Sequence, residues 1–321
     1  MLKWIAFFAL FLIYGSGFMF ISVAVEQLTP LELTSIRFLF GSILLLIALY
    51  ATGGRFPSDW HGLRDLTMVG LLNNTVPFLL VAWAQTQGVA SGLTGVLIAT
   101  NPLFTVVMAH FLFSDERMTR YKIVGLAIGF LGVVVLASRN FSGDDVLTSN
   151  LTGQLAVIFS AFCFASAAVY SRKAMQGETS NPLLISAGST FMAMLMTVGL
   201  WVFNIATGTP ISDTTALKSE TILSVIVLVV VHSFIAFSLV FYVIRELGVT
   251  RASMMAYMIP LVSLMLGAIF LDEVLDARVL LATTMILGSL AIANFGRRIV
   301  YLLRSATVGL SPSLGSLHDH K

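Results

Sequence analysis

The chain has 321 residues, of which 57% are hydrophobic and 11% charged, where a soluble domain carries about 25% charged residues. Its 18 basic and 16 acidic side chains cannot cover a soluble fold of this size, and a net charge of +2 leaves no basic surplus for nucleic acid. The single cysteine, Cys163, excludes an intrachain disulfide and any multi-cysteine metal site.

Crossing roughly 30 Å of hydrocarbon takes about 20 apolar residues in a helix. Segments poor in Asp, Glu, Lys and Arg predict ten such spans, at residues 4–25, 31–50, 66–85, 89–113, 123–137, 153–170, 182–204, 222–244, 252–271 and 279–295. Residues 66–114 hold none of the four charged types and are too long for one crossing, so Gln85, Gln87, Gly88, Ser91 and Gly92 are read as a turn. The runs lack the alternation of barrel strands, which makes the expected fold an all-α integral membrane bundle. The first 25 residues, with Lys3 before the apolar run, have the basic start of a secretory signal, but the run passes Gly15-Ser16-Gly17 without a small-residue exit and is read as a retained first span.

Basic residues gather in cytoplasmic loops. A cytoplasmic N-terminus puts 14 of the 18 Lys and Arg on that side, with Arg139, Lys218 and Arg278 outside and Arg37 inside the second span. Both termini are therefore expected in the cytoplasm, in a multi-pass protein of the cell (inner) membrane.

The two halves echo each other. Asn101-Pro102 in the fourth span precedes Asp115-Glu116, and Ile259-Pro260 in the ninth precedes Asp272-Glu273; Gly88-Val89 and Gly248-Val249 open the same two spans. The offset is 158 to 160 positions. Five spans per half is an odd number, so the second half must run through the membrane in the opposite sense, as an inverted repeat. Such repeats are the recurring architecture of secondary transporters, with the substrate held near the midplane between halves. The expected organisation is a first repeat at 3–137, an outer linker at 138–152, a second repeat at 153–297 and a cytoplasmic tail at 298–321.

On Gly15-Ser16-Gly17-Phe18, Arg37-Phe38, the run from Pro102 through Asp115-Glu116 to Gly125, Gly129 and Gly132, and its echo from Pro260 through Asp272-Glu273 to Gly288, the chain resembles the drug/metabolite transporter superfamily. Within it, the likeness is to the ten-helix EamA-like branch. It departs in having Ala282 where the first half has Gly125. The resemblance implies movement of small organic metabolites, commonly export of amino acids or related compounds, without ATP hydrolysis. It fixes neither substrate nor direction.

Polar residues at mid-depth are the candidates for substrate contact, because hydrocarbon makes them costly unless they face a cavity or a partner. Asn73 and Asn74 lie in the third span, just before Pro77, and His232 in the eighth. The repeat offset carries position 232 back to 72–74, so these residues occupy equivalent places. The competing reading is interhelical hydrogen bonding that only holds the bundle together. Asn101 and Tyr257 flank the prolines of the fourth and ninth spans, where a helix break is expected in each. Ser16 lies between glycines, where packing alone explains it as well as ligand contact does. Arg37 needs a partner other than Glu32, five residues away, and is read either as binding a substrate anion or as reaching back to the loop. Tyr14 and Trp83 have faces for stacking on an aromatic substrate, although Trp83 near the boundary suits an aromatic belt. Asp115-Glu116 and Asp272-Glu273 are read as caps of the helices that follow them.

No acidic residue sits at the centre of a span, which leaves uncoupled exchange, facilitated diffusion, or proton linkage through His232. There is no phosphate-binding loop of the G-x-x-x-x-G-K type. No cofactor and no metal is expected; the partners are a small-molecule substrate and the lipid bilayer, with a homodimer left open. The reading is a secondary transporter, with a membrane-embedded enzyme or a non-transporting receptor or scaffold as alternatives.

Overall fold

The computed structural model describes residues 2–113, 118–137, 147–174, 181–213, 216–236 and 255–308, together with 239, 243 and 246. Ten helices carry these residues: α1 (Leu2–Ala24), α2 (Pro30–Ala51), α3 (Trp60–Thr86), α4 (Ser91–Leu112), α5 (Arg120–Ala137), α6 (Leu147–Ala174), α7 (Pro182–Ala206), α8 (Ser219–Ile235), α9 (Met255–Phe270) and α10 (Ala277–Val308). Six of them are long and apolar enough to cross a membrane on the described residues alone. The protein is an all-α, multi-pass membrane protein.

The distribution of polarity is inside-out. Large apolar side chains such as Ile47, Phe111 and Val202 are exposed, while Ser35, Thr94, Ser160, Thr197 and Ser289 are buried. Hydrocarbon solvates the first group, and the second, Ser35 apart, bonds internally. Thr94, Ser160, Thr197 and Ser289 each donate to a carbonyl three or four residues earlier in their own helix.

The most extensive helix pairings are matched when the two halves are exchanged. α2 packs on α7, α4 on α9 and α5 on α10; α1 on α9 is matched by α6 on α4, α3 on α6 by α8 on α1, and α3 on α7 by α8 on α2. This is the inverted two-repeat arrangement. α5 and α10 approach closely, where the glycine stripe of α5 lets backbones meet. A Cβ on Gly125 would lie 2.6 Å from the Ser289 carbonyl, and one on Gly129 would lie 2.7 Å from Ser289 Oγ. Ala282 is fully buried opposite Gly132, so the replaced glycine still serves the same contact.

Several expectations change. α3 begins at Trp60, capped by the Asp59 carboxylate on the Gly62 N–H at 2.9 Å, one and a half turns before the apolar run. α10 continues to Val308, and α6 is already helical from Leu147. The break expected in the fourth span is present at Ala99–Thr100, between segments Ser91–Ile98 and Asn101–Leu112. The matching break in the ninth is not, since α9 runs through Pro260 as one helix. Its flanks are held tightly there: a Cβ on Gly15 of α1 would meet Val262 at 2.6 Å, and one on Gly92 of α4 would meet Leu264 at 2.9 Å. A kink has no room to open.

Glu273 does not cap the helix that follows it. Asp276 does so, its carboxylate accepting from the Val279 N–H at 2.8 Å. Glu273 reaches across to the first half and caps α4, accepting from the backbone N–H groups of Ser91 and Gly92. The left-handed φ of 52° at Asp272 turns the chain back for this contact. Asp115 and Glu116 lie outside the described residues.

Candidate functional site

Two helices at equivalent places in the halves widen into π turns. α3 does so over Gly70–Thr75 and α8 over Leu228–Ile235. In α3 the cause is readable, because Pro77 supplies no N–H and its ring crowds the carbonyl four residues back. The Val76 N–H bonds to the Leu71 carbonyl five residues earlier, and the Pro77 carbonyl lies 3.2 Å from Ser160 Oγ, sharing its one proton with the Ala156 carbonyl at 2.9 Å. α8 has no proline in this stretch, yet the Ala236 N–H likewise bonds to Val231. π turns are rare and concentrate at functional sites.

Between the two π turns lies a cavity of about 330 Å³. Its walls come from both halves and from every helix except α5 and α10. Arg37, Asn73, Asn74, Asn101 and His232 all line it, with Tyr14 and Ser233 beside them and Phe38, Phe78 and Phe164 forming an aromatic wall. The rings of that wall meet edge to face, Phe38 with Phe78 at 5.9 Å and Phe78 with Phe164 at 5.8 Å. Ser16 does not line the cavity but touches a residue that does. Tyr257 lies in the described part of α9, but its side chain lies outside the described set.

The first half contributes amides. Asn73 Nδ2 donates to Asn74 Oδ1 at 3.3 Å, and Asn74 Nδ2 donates to Ser189 Oγ at 3.4 Å. Asn101 Oδ1 accepts from Thr105 Oγ1 at 3.1 Å, which leaves the Asn101 amide N–H groups for the cavity. Asn74 is 3% exposed, so these contacts stand in place of water.

The second half contributes an imidazole and a hydroxyl. His232 Nδ1 lies 3.3 Å from the Val227 carbonyl, and Nε2 lies 3.4 Å from Ser16 Oγ. Ser16 Oγ also lies 2.9 Å from the Ile13 carbonyl. The hydroxyl has one proton for two acceptors, so the ring's protonation decides which of them it serves. Gly17 makes room for the ring, since a Cβ there would sit 3.0 Å from His232 Cδ2.

Arg37 is 7% exposed. Its Nε donates to Ser233 Oγ at 3.2 Å, and Ser233 Oγ donates to the Leu228 carbonyl at 3.0 Å. The guanidinium carbon lies 4.1 Å from the Phe78 ring centroid, a cation–π contact. Arg37 thus turns inward. The loop is reached instead by Glu32, whose carboxylate accepts from the Ser212 backbone and hydroxyl and from the Thr29 N–H at 2.8 Å.

Sequence reasoning missed Ser233, Phe78 and Phe164. The signal for Ser233 was available, because the repeat offset takes it to Asn74. Trp83, exposed, lines a separate recess at the N-terminal end of α2 and the C-terminal ends of α3 and α7, away from the cavity.

A family model described as the EamA-like transporter family matches residues 2–138 and 151–295. An uncharacterized inner membrane transporter, YedA, from Escherichia coli K12 is 30% identical over 292 residues, covering 91% of this chain and 90% of the relative. A "probable amino-acid metabolite efflux pump" of the same organism is 24% identical over 295 residues, covering 89% and 92%. Among solved structures, one crystal structure aligns with a TM-score of 0.63 at 20% identity, covering 92% of this chain and 97% of the other; that likeness concerns the fold.

Proposed function

The chain belongs to the EamA-like transporter family, and from that footing we propose that it moves a small organic metabolite, an amino acid or a related compound, out of the cell by alternating access. The supporting observation is the cavity itself. Its polar groups face one another from two inverted halves, with Asn73, Asn74 and Asn101 from the first and His232 and Ser233 from the second. A polar pocket at the meeting of two inverted halves is what a rocking carrier exposes to alternate sides. Names of relatives support inner-membrane placement and export, and the basic-loop bias supports cytoplasmic termini.

Counterflow into proteoliposomes tests the reading. Vesicles preloaded with an unlabelled metabolite should accumulate the labelled form above protein-free vesicles. A double Asn74→Ala, His232→Gln variant should lose at least about 90% of that flux, because hydrogen-bonded positioning would be gone from both halves. A panel of amino acids and their keto, hydroxy and amine analogues that shows no counterflow with the wild-type protein overturns the proposal.

A further inference from the structure

We infer that the transported compound is an organic acid held by its carboxylate on Arg37, with an apolar body against the Phe38–Phe78–Phe164 wall and no ammonium required. The inference deepens the transport reading and rests on it. Four observations carry it.

A guanidinium held in hydrocarbon without an anion is costly, and intramembrane charges pair or mark a ligand path. Arg37 is 93% buried by the complement of its 7% exposure, yet its contacts are a neutral hydroxyl and a ring face. The Ser233 bond engages Nε, one edge of a fork that has five N–H donors. The two terminal nitrogens are left for a planar, bidentate acceptor, and a carboxylate fits that shape.

Among the described residues, the cavity lining contains no Asp or Glu, and Arg37 is the fixed charge among them. A bound carboxylate therefore neutralises that charge. A zwitterion would bring an ammonium with only neutral acceptors to meet it, namely amide oxygens, the hydroxyls of Tyr14, Thr190 and Ser233, and ring faces, and a cationic amine would add a second positive charge beside Arg37. Electrostatics orders the three classes as acid, then zwitterion, then amine.

Arg37 is also held at a set position. Ser233 Oγ receives the Arg37 Nε proton while giving its own to the Leu228 carbonyl within the π turn, so the fork is fixed from behind. In the same cavity, the Asn101 amide group and the Asn73 side-chain oxygen offer a donor and an acceptor that suit a keto or hydroxyl group of the ligand.

Last, the aromatic wall is adjacent. Phe78 carries the guanidinium on its face at 4.1 Å and joins Phe38 and Phe164. A ring or branched alkyl body attached to the carboxylate would lie along it.

The test uses the full-length protein and three probes of one carbon skeleton: phenylpyruvate, phenylalanine and phenethylamine. Binding to detergent-solubilised protein is read by titration calorimetry, and movement by counterflow in proteoliposomes. Phenylpyruvate should bind most tightly and phenethylamine at least about 30-fold more weakly, as expected when a buried charge loses its partner. Arg37→Gln should weaken phenylpyruvate by about the same factor, and Arg37→Lys should recover part of it because the charge returns without the fork. Thermal unfolding of each variant separates loss of the anchor from loss of the fold, since a folded Arg37→Gln protein with unchanged phenylpyruvate affinity overturns the inference. So does binding of the amine as tightly as the acid, or binding of phenylalanine with none of phenylpyruvate. Acid binding that depends on Arg37, without counterflow of any panel compound, keeps the anchor and removes the transport reading. Counterflow of other metabolites with no acid binding keeps transport and removes the anchor.

Discussion

Arg37 and Ser189 each lie seven positions after the proline that opens their helix, Pro30 in α2 and Pro182 in α7. Each bonds to the π turn of the opposite half, Arg37 to Ser233 at 3.2 Å and Ser189 to Asn74 at 3.4 Å. The backbone device is the same and the chemistry is not. One crossing holds a fixed positive charge, and the other holds a neutral hydroxyl and amide. An inverted repeat with identical side chains would offer a symmetric pocket with no preferred ligand orientation. Divergence at this pair puts a charge at one crossing and none at the other, so under the proposed reading the repeat supplies the geometry and its breaking supplies selectivity.

The two crossings also differ in where the small residue sits, and this difference should produce the greatest change in stability. At the neutral crossing Gly70 is on the π turn itself, and a Cβ there would lie 2.6 Å from the Ser189 carbonyl and 3.3 Å from the Ala193 nitrogen. At the charged crossing Gly41 is on α2, and a Cβ would meet the Ser233 side chain at 3.0 Å. Backbone cannot give way as a side chain can. Gly70→Val should therefore cost ~3 kcal/mol and Gly41→Val about 1 kcal/mol, within the range for overpacked sites. Thermal unfolding in detergent measures both, and the reverse order would show that the crossings are not built as described.

Function should respond most at the charged crossing. Ser233→Ala removes the acceptor that fixes the Arg37 fork, while the cation–π contact with Phe78 remains. The charge stays but its aim is lost. Affinity for a carboxylate ligand should fall about tenfold, equivalent to roughly 1.4 kcal/mol, with a smaller change in thermal midpoint. Unchanged affinity would mean that packing against Phe78 alone positions the guanidinium.

How much of this was readable in the sequence follows from the kind of signal each feature leaves. Ten helices and their inversion were readable, because hydrocarbon imposes a length and a charge pattern on every span. The glycine stripe of α5 and the break before Asn101 were readable because glycine and proline act locally. The π turn in α8 was not: without a proline, it depends on packing between α8 and α2 that the local sequence does not show. Glu273 was misassigned for a related reason. Its position in the chain suggests the next helix, but the left-handed turn at Asp272 sends it to α4 of the other half. Asn73, Asn74, Asn101 and His232 were readable as costly polar groups at depth and Arg37 as a span residue in need of a partner, and the structure brings all five to one cavity. Ser233 and the aromatic wall were not, because serine and phenylalanine cost little inside a helix bundle and leave no anomaly to notice.

The neutral crossing provides the control for the charged one. Ser189→Ala removes the hydroxyl that accepts from Asn74 Nδ2 at 3.4 Å, a long contact between uncharged groups. Such bonds contribute about 1 kcal/mol in water and less on average between membrane helices, about 0.6 kcal/mol. Asn74 also keeps a second tie, since its Oδ1 still accepts from Asn73 at 3.3 Å. The amide would lose one donor contact but not its place in the cavity wall. Carboxylate affinity should change by less than about twofold, because no part of the Arg37 fork depends on Ser189. Measured beside Ser233→Ala in one titration series, the pair isolates the charge: equal losses would mean that both crossings merely hold the bundle together, whereas loss at Ser233 alone places selectivity at the crossing that carries Arg37.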